Sequence, residues 1–192
     1  DLLSNTSNAA LIRNTGSGNS WSMETLPGLA TARTAFDVDG DGDKDLIGTG
    51  NWYANDGSGV FTAVPSSALT TTGDVAYGDL NGDGTLDLVI GGSTALTALL
   101  NDGSGNFTSS VTSAQAFRVC TADLDGDGDL DVAAFNNGVD HPWFENDGAA
   151  NFTAHTWITN APVGFNTLIA RDVNNDGSAD IIWSRSYGYE HN

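Results

Sequence analysis

The apolar residues of this 192-residue chain come in short runs, not in long periodic stretches. DLIG (45–48), DLVI (87–90), DVAA (131–134) and DIIW (180–183) each follow an aspartate-rich stretch and end within four residues. A run of that length is too short for a helix and suits a strand covered on both faces. A few residues later comes a second strand-like segment, NWYA, TALL or PWFE. An Asn-Asp-Gly turn then reverses the chain into VFTAV, NFTSSV or NFTAHTW. A last segment (TAFDV, VAYGDL, FRVCTADL or TLIARDV) leads into the next aspartate-rich stretch.

The pattern is an internal repeat. DVDGDGDKD (37–45) recurs as DLNGDGTLD (79–87), DLDGDGDLD (123–131) and DVNNDGSAD (172–180), with starts 42, 44 and 49 residues apart. NDGSGVF, NDGSGNF and NDGAANF run in step with it, and NTGSGNS at 14–20 is a degenerate copy. Four short strands in about 45 residues is the size of one β-propeller blade. The expected fold is therefore all-β, a propeller or propeller fragment of four-stranded blades. One region, 1–192, is expected, with blades at 1–26 (partial), 31–64, 73–111, 116–157 and 165–192 (partial). DLLS at 1–4 matches DLIG and YEHN at 189–192 matches WFEN, so these residues are expected to be a window from a longer protein.

Within each aspartate-rich stretch the oxygen side chains alternate. Position 1 is Asp37, Asp79, Asp123 or Asp172, and position 3 is Asp39, Asn81, Asp125 or Asn174. Position 5 is Asp41, Asp83, Asp127 or Asp176, position 6 is always glycine, and position 9 is Asp45, Asp87, Asp131 or Asp180. Position 7 varies (Asp43, Thr85, Asp129, Ser178), as expected where only a backbone carbonyl is used. Alternating hard oxygens, a glycine turn and a late carboxylate make a calcium cage. The lack of soft or nitrogen ligands argues against zinc, and the strict octahedron of magnesium argues against that ion. An EF-hand needs glutamate at position 12, where this chain has Gly48, Ile90, Ala134 and Trp183. Metal-free Asp/Gly turns are the plainer alternative; four copies with fixed positions favour calcium, at about four sites.

Charge sharpens this picture. There are 25 acids and 6 bases, a formal net charge of −19, and 22 of the acids are aspartates. Sixteen of the 25 lie in the four loops, where bound cations would offset them. Such a balance argues against nucleic acid and anionic lipid as partners. Cys120 is the only cysteine, so no internal disulfide can form, and calcium would serve as the staple instead. No run approaches the roughly 18 apolar residues of a membrane helix.

Both motifs resemble the FG-GAP (VCBS-type) repeat, the blade unit of integrin alpha-subunit propellers and of many secreted microbial proteins. The resemblance covers nearly the whole chain. It implies a calcium-bearing propeller with the metal loop joining the first two strands of each blade. It implies side-chain ligands at positions 1, 3, 5 and 9 and the position-7 carbonyl. It also places ligand recognition on the face away from these loops, where Asp140 and His141 in FNNGVDHP, and Trp143 just after it, are the candidate contacts. Against that stands the reading of Trp52 and Trp143 as packed aromatics that begin strands.

Catalysis has no motif to rest on: three His (141, 155, 191) and three Glu are scattered, and the paired carboxylates are accounted for as ligands. Cys120 reads as a small buried hydrophobe. Asn5, Asn106 and Asn151 head Asn-X-Ser/Thr triplets and are candidate N-glycosylation sites. Weak calcium sites fill outside cells, so an extracellular or cell-surface location is expected. The expected function is a non-catalytic adhesion or scaffold module with a protein or glycan partner, open to self-assembly. A lectin, or an accessory domain of a polysaccharide-degrading enzyme, is the alternative.

Overall fold

A computed structural model of the chain describes residues 9–14, 16, 20–26, 33–69, 73–112, 115–136, 138, 140–160 and 165–185. These residues form sixteen strands and no helix. The backbone divides into two compact units, 1–70 and 71–192.

In the first unit, β1 (Ala9–Asn14) and β2 (Trp21–Leu26) make an antiparallel ribbon. β3 (Thr34–Phe36), β4 (Asp45–Ile47), β5 (Asn51–Asn55) and β6 (Phe61–Pro65) make a four-stranded antiparallel sheet in chain order. Leu26 of the ribbon and Tyr53 of the sheet are buried together, with Leu11, Leu46 and Phe61 packed around them. Arg13 reinforces the contact: its guanidinium pairs with Glu24 at 2.9 Å, donates to the Gly59 carbonyl and lies 5.7 Å from the Phe61 ring centre.

In the second unit, β7 (Val75–Gly78), β8 (Asp87–Ile90), β9 (Leu96–Asn101) and β10 (Phe107–Thr112) form one sheet. β11 (Arg118–Ala122), β12 (Asp131–Phe135), β13 (His141–Asn146) and β14 (Phe152–Ile158) form the next. β15 (Phe165–Arg171) pairs with β16 (Asp180–Arg185) in a two-stranded sheet. Every neighbouring pair is antiparallel, as short tight turns require.

The period-two alternation of a strand explains the core. On β12, Val132 and Ala134 point toward the preceding sheet and join Val89, Leu96, Ala98 and Phe144. Ala133 and Phe135 point the other way, to Leu168 of β15, and Trp157 stacks on Phe135 at 5.8 Å. A strand flanked by sheets on both sides, as β12 is within this unit, has no polar face, which is why DVAA is an uninterrupted apolar run; DLVI is likewise buried throughout. DIIW departs from that expectation: Ile182 and Trp183 are exposed, because β16 has only β15 beside it among the described residues. Each fully buried Leu or Phe of these clusters contributes about 1.5–3 kcal/mol.

Side chains also stitch the first strands of adjacent sheets. Thr121 Oγ1 donates to the Tyr77 carbonyl (2.9 Å), Asp74 accepts the Val119 N–H (3.2 Å), and Arg118 Nε donates to the Asn166 carbonyl (2.9 Å).

Candidate metal centre

Each aspartate-rich loop joins the first two strands of a sheet: β3 to β4, β7 to β8, β11 to β12 and β15 to β16. The four loops share one hydrogen-bond frame, and each conserved position within the repeat has its own task in it. The position-1 carboxylate folds the loop around itself. Asp37 accepts the N–H groups of Gly40 and Gly42, Asp79 those of Gly82 and Gly84, Asp123 those of Gly126 and Gly128, and Asp172 those of Asn175 and Gly177. The glycine at position 6 is needed because φ there is 95°, 87°, 101° and 91° in the four copies, a region that side chains avoid. The position-5 carboxylate takes the N–H two residues on, at 2.8 Å or 2.9 Å in Asp41, Asp83, Asp127 and Asp176.

Position 9 has a task that a ligand assignment does not show. Asp45, Asp87 and Asp131 are fully buried. One oxygen of each accepts the position-2 N–H, from Val38, Leu80 or Leu124. The other accepts the N–H of Asn55, Asn101 or Asn146, the residues that open the Asn-Asp-Gly turns. The position-9 carboxylate therefore bolts the loop to the hairpin turn beside it. Asp180, in the two-stranded sheet, is half-buried and accepts the Val173 N–H at 3.1 Å. Burial pushes the Asp45, Asp87 and Asp131 carboxyls above their usual range, against the pull of these amide bonds.

The turn asparagines are the functional residues that motif reading passed over. They recur in NDG, yet NDG reads as a turn signal and conceals the contact with an aspartate ten or more residues earlier. Asn146 Nδ2 donates to the Leu130 carbonyl of its own sheet (3.0 Å) and to the Leu80 carbonyl of the preceding loop (2.8 Å). The second residue of each turn, Asp56, Asp102 or Asp147, caps the turn's own N–H groups. Those bonds hold all three carboxyls below the ordinary range, led by side-chain donors Ser58, Asn106 and Asn151.

Two loops bring carboxylates together. Oxygens of Asp37, Asp39 and Asp45 lie within 4.8 Å of one another, as do those of Asp123, Asp125 and Asp127. Asp39 Oδ1 is buried there without a hydrogen-bond donor. An orphaned carboxylate oxygen next to two like charges fits a hard cation and fits little else. In the other two loops an amide stands between the carboxylates. Asn81 Nδ2 donates to Asp83 Oδ2 (2.9 Å), and Thr85 Oγ1 donates to Asp83 Oδ1 (2.6 Å). In the last loop, Asn174 accepts the Asp176 N–H at 2.8 Å. Asp83 is held low chiefly by Thr85 and then Asn81, and Asp176 chiefly by the Ser178 amide and then Asn174.

The residues expected on the ligand face do not form one surface. Asp140 is exposed and accepts the Asn160 N–H (3.2 Å). His141 is fully buried, which corrects its place among surface contacts. Its ring sits edge-on to Phe135 at 4.7 Å, Nδ1 faces the Asn136 N–H at 3.4 Å, and burial holds its pKa below the usual histidine range. A register shift between His141 and Pro142 is the local irregularity there. Trp143 is half-buried and stacks on His155 at 4.8 Å, and His155 Nε2 lies 2.6 Å from Glu145 Oε2. Trp52 is buried in β5 as a packed aromatic. The Cys120 thiol is pushed up to about 12, mainly by burial, so it is protonated at neutral pH. Asn106 and Asn151 are exposed at equivalent turns, with Nδ2 donated to Asp102 and Asp147 at 2.9 Å; Asn5 lies outside the described residues.

The FG-GAP-like repeat matches residues 37–90, 79–134 and 123–183, each match running from one aspartate-rich loop through the next. The chain belongs to the FG-GAP-like repeat family. Among solved structures, this FG-GAP-like chain is similar to a lectin of Agrocybe aegerita, described by its specific recognition of non-reducing terminal N-acetylglucosamine. The TM-score is 0.63 at 25% identity, over 91% of this chain and 54% of that one. The chain thus spans about half the length of the lectin it matches. No curated protein matches the FG-GAP-like chain in sequence. Among its described residues, no helix is long and apolar enough to cross a membrane.

Proposed function

We propose that this FG-GAP-like chain is a non-catalytic, calcium-stabilised part of an extracellular β-propeller that binds carbohydrate. The observation that carries the reading is the fold shared along 91% of the chain with a lectin that recognises N-acetylglucosamine. Calcium enters through the aspartate loops. Asp37, Asp39 and Asp45, and Asp123, Asp125 and Asp127, would hold the ion, and the loops with Asn81 and Asn174 would hold it more weakly. Its role is electrostatic: it neutralises converging carboxylates and fixes the start of each second strand. The half-buried Trp143, stacked on His155 with Glu145 alongside, supplies an aromatic face and a carboxylate acceptor of the kind sugars use. The protonated Cys120 and buried His141 support a binding role over catalysis.

The test is a glycan-array screen in millimolar calcium, repeated with chelator, on protein shown to be folded. Binding to a defined sugar class in calcium is the expected result. A clean negative from folded, calcium-loaded protein would overturn it. That outcome would favour the second reading, an adhesion or scaffold module for protein partners. This reading is favoured by the failure of an accessible aromatic to repeat: Trp143 pairs across from Ala133, Ala98 stands at the same place opposite Val89, and Trp52, at that place opposite Ile47, is buried.

A further inference from the structure

We infer that Asn81 is a site of spontaneous deamidation, with the Gly82 main-chain nitrogen as the nucleophile. The inference goes beyond the binding role, and only its calcium arm rests on the proposed metal sites. Asn81 and Gly82 are the only Asn-Gly pair within the four aspartate-rich loops, and at this position two of the other loops carry aspartate.

The hydrogen bonds around this pair arrange it for ring closure. Asn81 Oδ1 accepts the Asp83 N–H at 3.1 Å, closing a side-chain turn that brings the carboxamide carbon alongside the intervening Gly82 peptide. The same bond polarises the carboxamide C=O toward attack. The Gly82 N–H points at the Asp79 carboxylate (2.8 Å), which raises the electron density on that nitrogen. Asn81 Nδ2, the group that must leave, is held outward on Asp83 Oδ2 at 2.9 Å. Gly82 is exposed and has no side chain to obstruct the new ring.

The chemistry balances with water alone. The Gly82 nitrogen bonds to the Asn81 carboxamide carbon and gives up its proton to solvent. The Cγ–Nδ2 bond breaks and ammonia leaves, carrying that proton equivalent, to form a succinimide. Water then opens the ring at either carbonyl, giving aspartate or isoaspartate at 81. The aspartate product gives this loop the position-3 carboxylate present at Asp39 and Asp125.

The chain contains its own control. Asn174 stands at the same position, and its Oδ1 accepts the Asp176 N–H in the same way (2.8 Å), but the next residue is Asn175. A side chain on the attacking residue hinders closure. Chelated protein and calcium-loaded protein should be aged at mildly alkaline pH and digested, and peptides containing residue 81 or 174 weighed. The expected result is a one-dalton gain at Asn81 with Asn174 intact, slower in calcium, which would fix the carboxamide oxygen. G82S should abolish the gain, and because serine is strained at a φ of 71°, D79N serves as a second variant that slows it while keeping the glycine. Equal gain at both asparagines, or none at Asn81 while exposed asparagines elsewhere convert, would overturn the inference.

Discussion

Loops 37–45 and 79–87 have the same frame of backbone bonds and differ most at one atom pair, the carboxylate of Asp39 against the amide of Asn81. Where the amide stands, its N–H₂ donates to Asp83 and the loop supplies that carboxylate with a partner of its own. Where the carboxylate stands, three like charges converge and one oxygen is left buried without a donor. Loops 123–131 and 172–180 repeat it in part: three carboxylates converge around Asp125, whereas Asn174 brings an amide to that position. The frame closes on hydrogen bonds alone, while the number of carboxylates that converge is set by position 3.

The largest expected effect separates these two kinds of loop outright. Chelation should cost about 2.7 kcal/mol for each site filled at a hundredfold excess over its Kd. A 192-residue chain loses about 2–4 °C of Tm for each kcal/mol, so calorimetry with and without chelator should show a drop of several degrees. The drop should persist in N81D and shrink in D39N/D125N. No calcium dependence of Tm at all would sink the metal reading.

Next in size is the bolt. D87A leaves the Leu80 and Asn101 N–H groups buried without an acceptor, at a cost of about 3 kcal/mol. Urea denaturation should show that loss in chelator as well as in calcium. D39A, which removes a carboxylate of the proposed site and none of the frame bonds described above, should be costly in calcium only.

A smaller effect tests position 3 directly. By calcium titration, D39N should weaken its loop and N81D should strengthen its own, each by about tenfold, or 1.4 kcal/mol. Equal affinities across these variants would mean that the amide ligates as well as the carboxylate.

The smallest effect is on pH and has opposite signs in the two states. The carboxyls of Asp45, Asp87 and Asp131 are raised in the fold, so their contribution is present below the unfolded value of 3.8 and lost as pH rises through the folded value. Asp56, Asp102 and Asp147 are lowered, so theirs is present above 3.8 and lost as pH falls through the folded value. Chelated protein should therefore gain slightly in Tm as pH falls through the raised values of Asp45, Asp87 and Asp131, and lose it as pH falls further, through the lowered values of Asp56, Asp102 and Asp147. Calcium-loaded protein should lose Tm over the same range, because protons compete with the ion.

Strands and loops were legible in the sequence for a physical reason: a strand covered on both faces has to be apolar throughout, and a tight acidic turn has to alternate. DLVI and DVAA satisfy the first and are buried throughout. The amide-accepting task of position 9 was not legible, because a carboxylate read as a ligand and one that accepts two amides are the same letter. Its partners Asn55, Asn101 and Asn146 lie 10, 14 and 15 residues downstream, a spacing too loose to read as one motif. His141 was misread as a surface contact since a polar letter beside Asp140 in a long connection gives no sign of packing on Phe135.

The Asn146 side chain, shared between the carbonyls of Leu80 and Leu130, has a mechanical consequence. One amide group ties a hairpin turn to two successive loops, so a pull on the chain at either sheet loads both. Stretched from its ends, the second unit should resist as a clamp in which these two repeats give way in one step, and loss of that single amide should let them part in two.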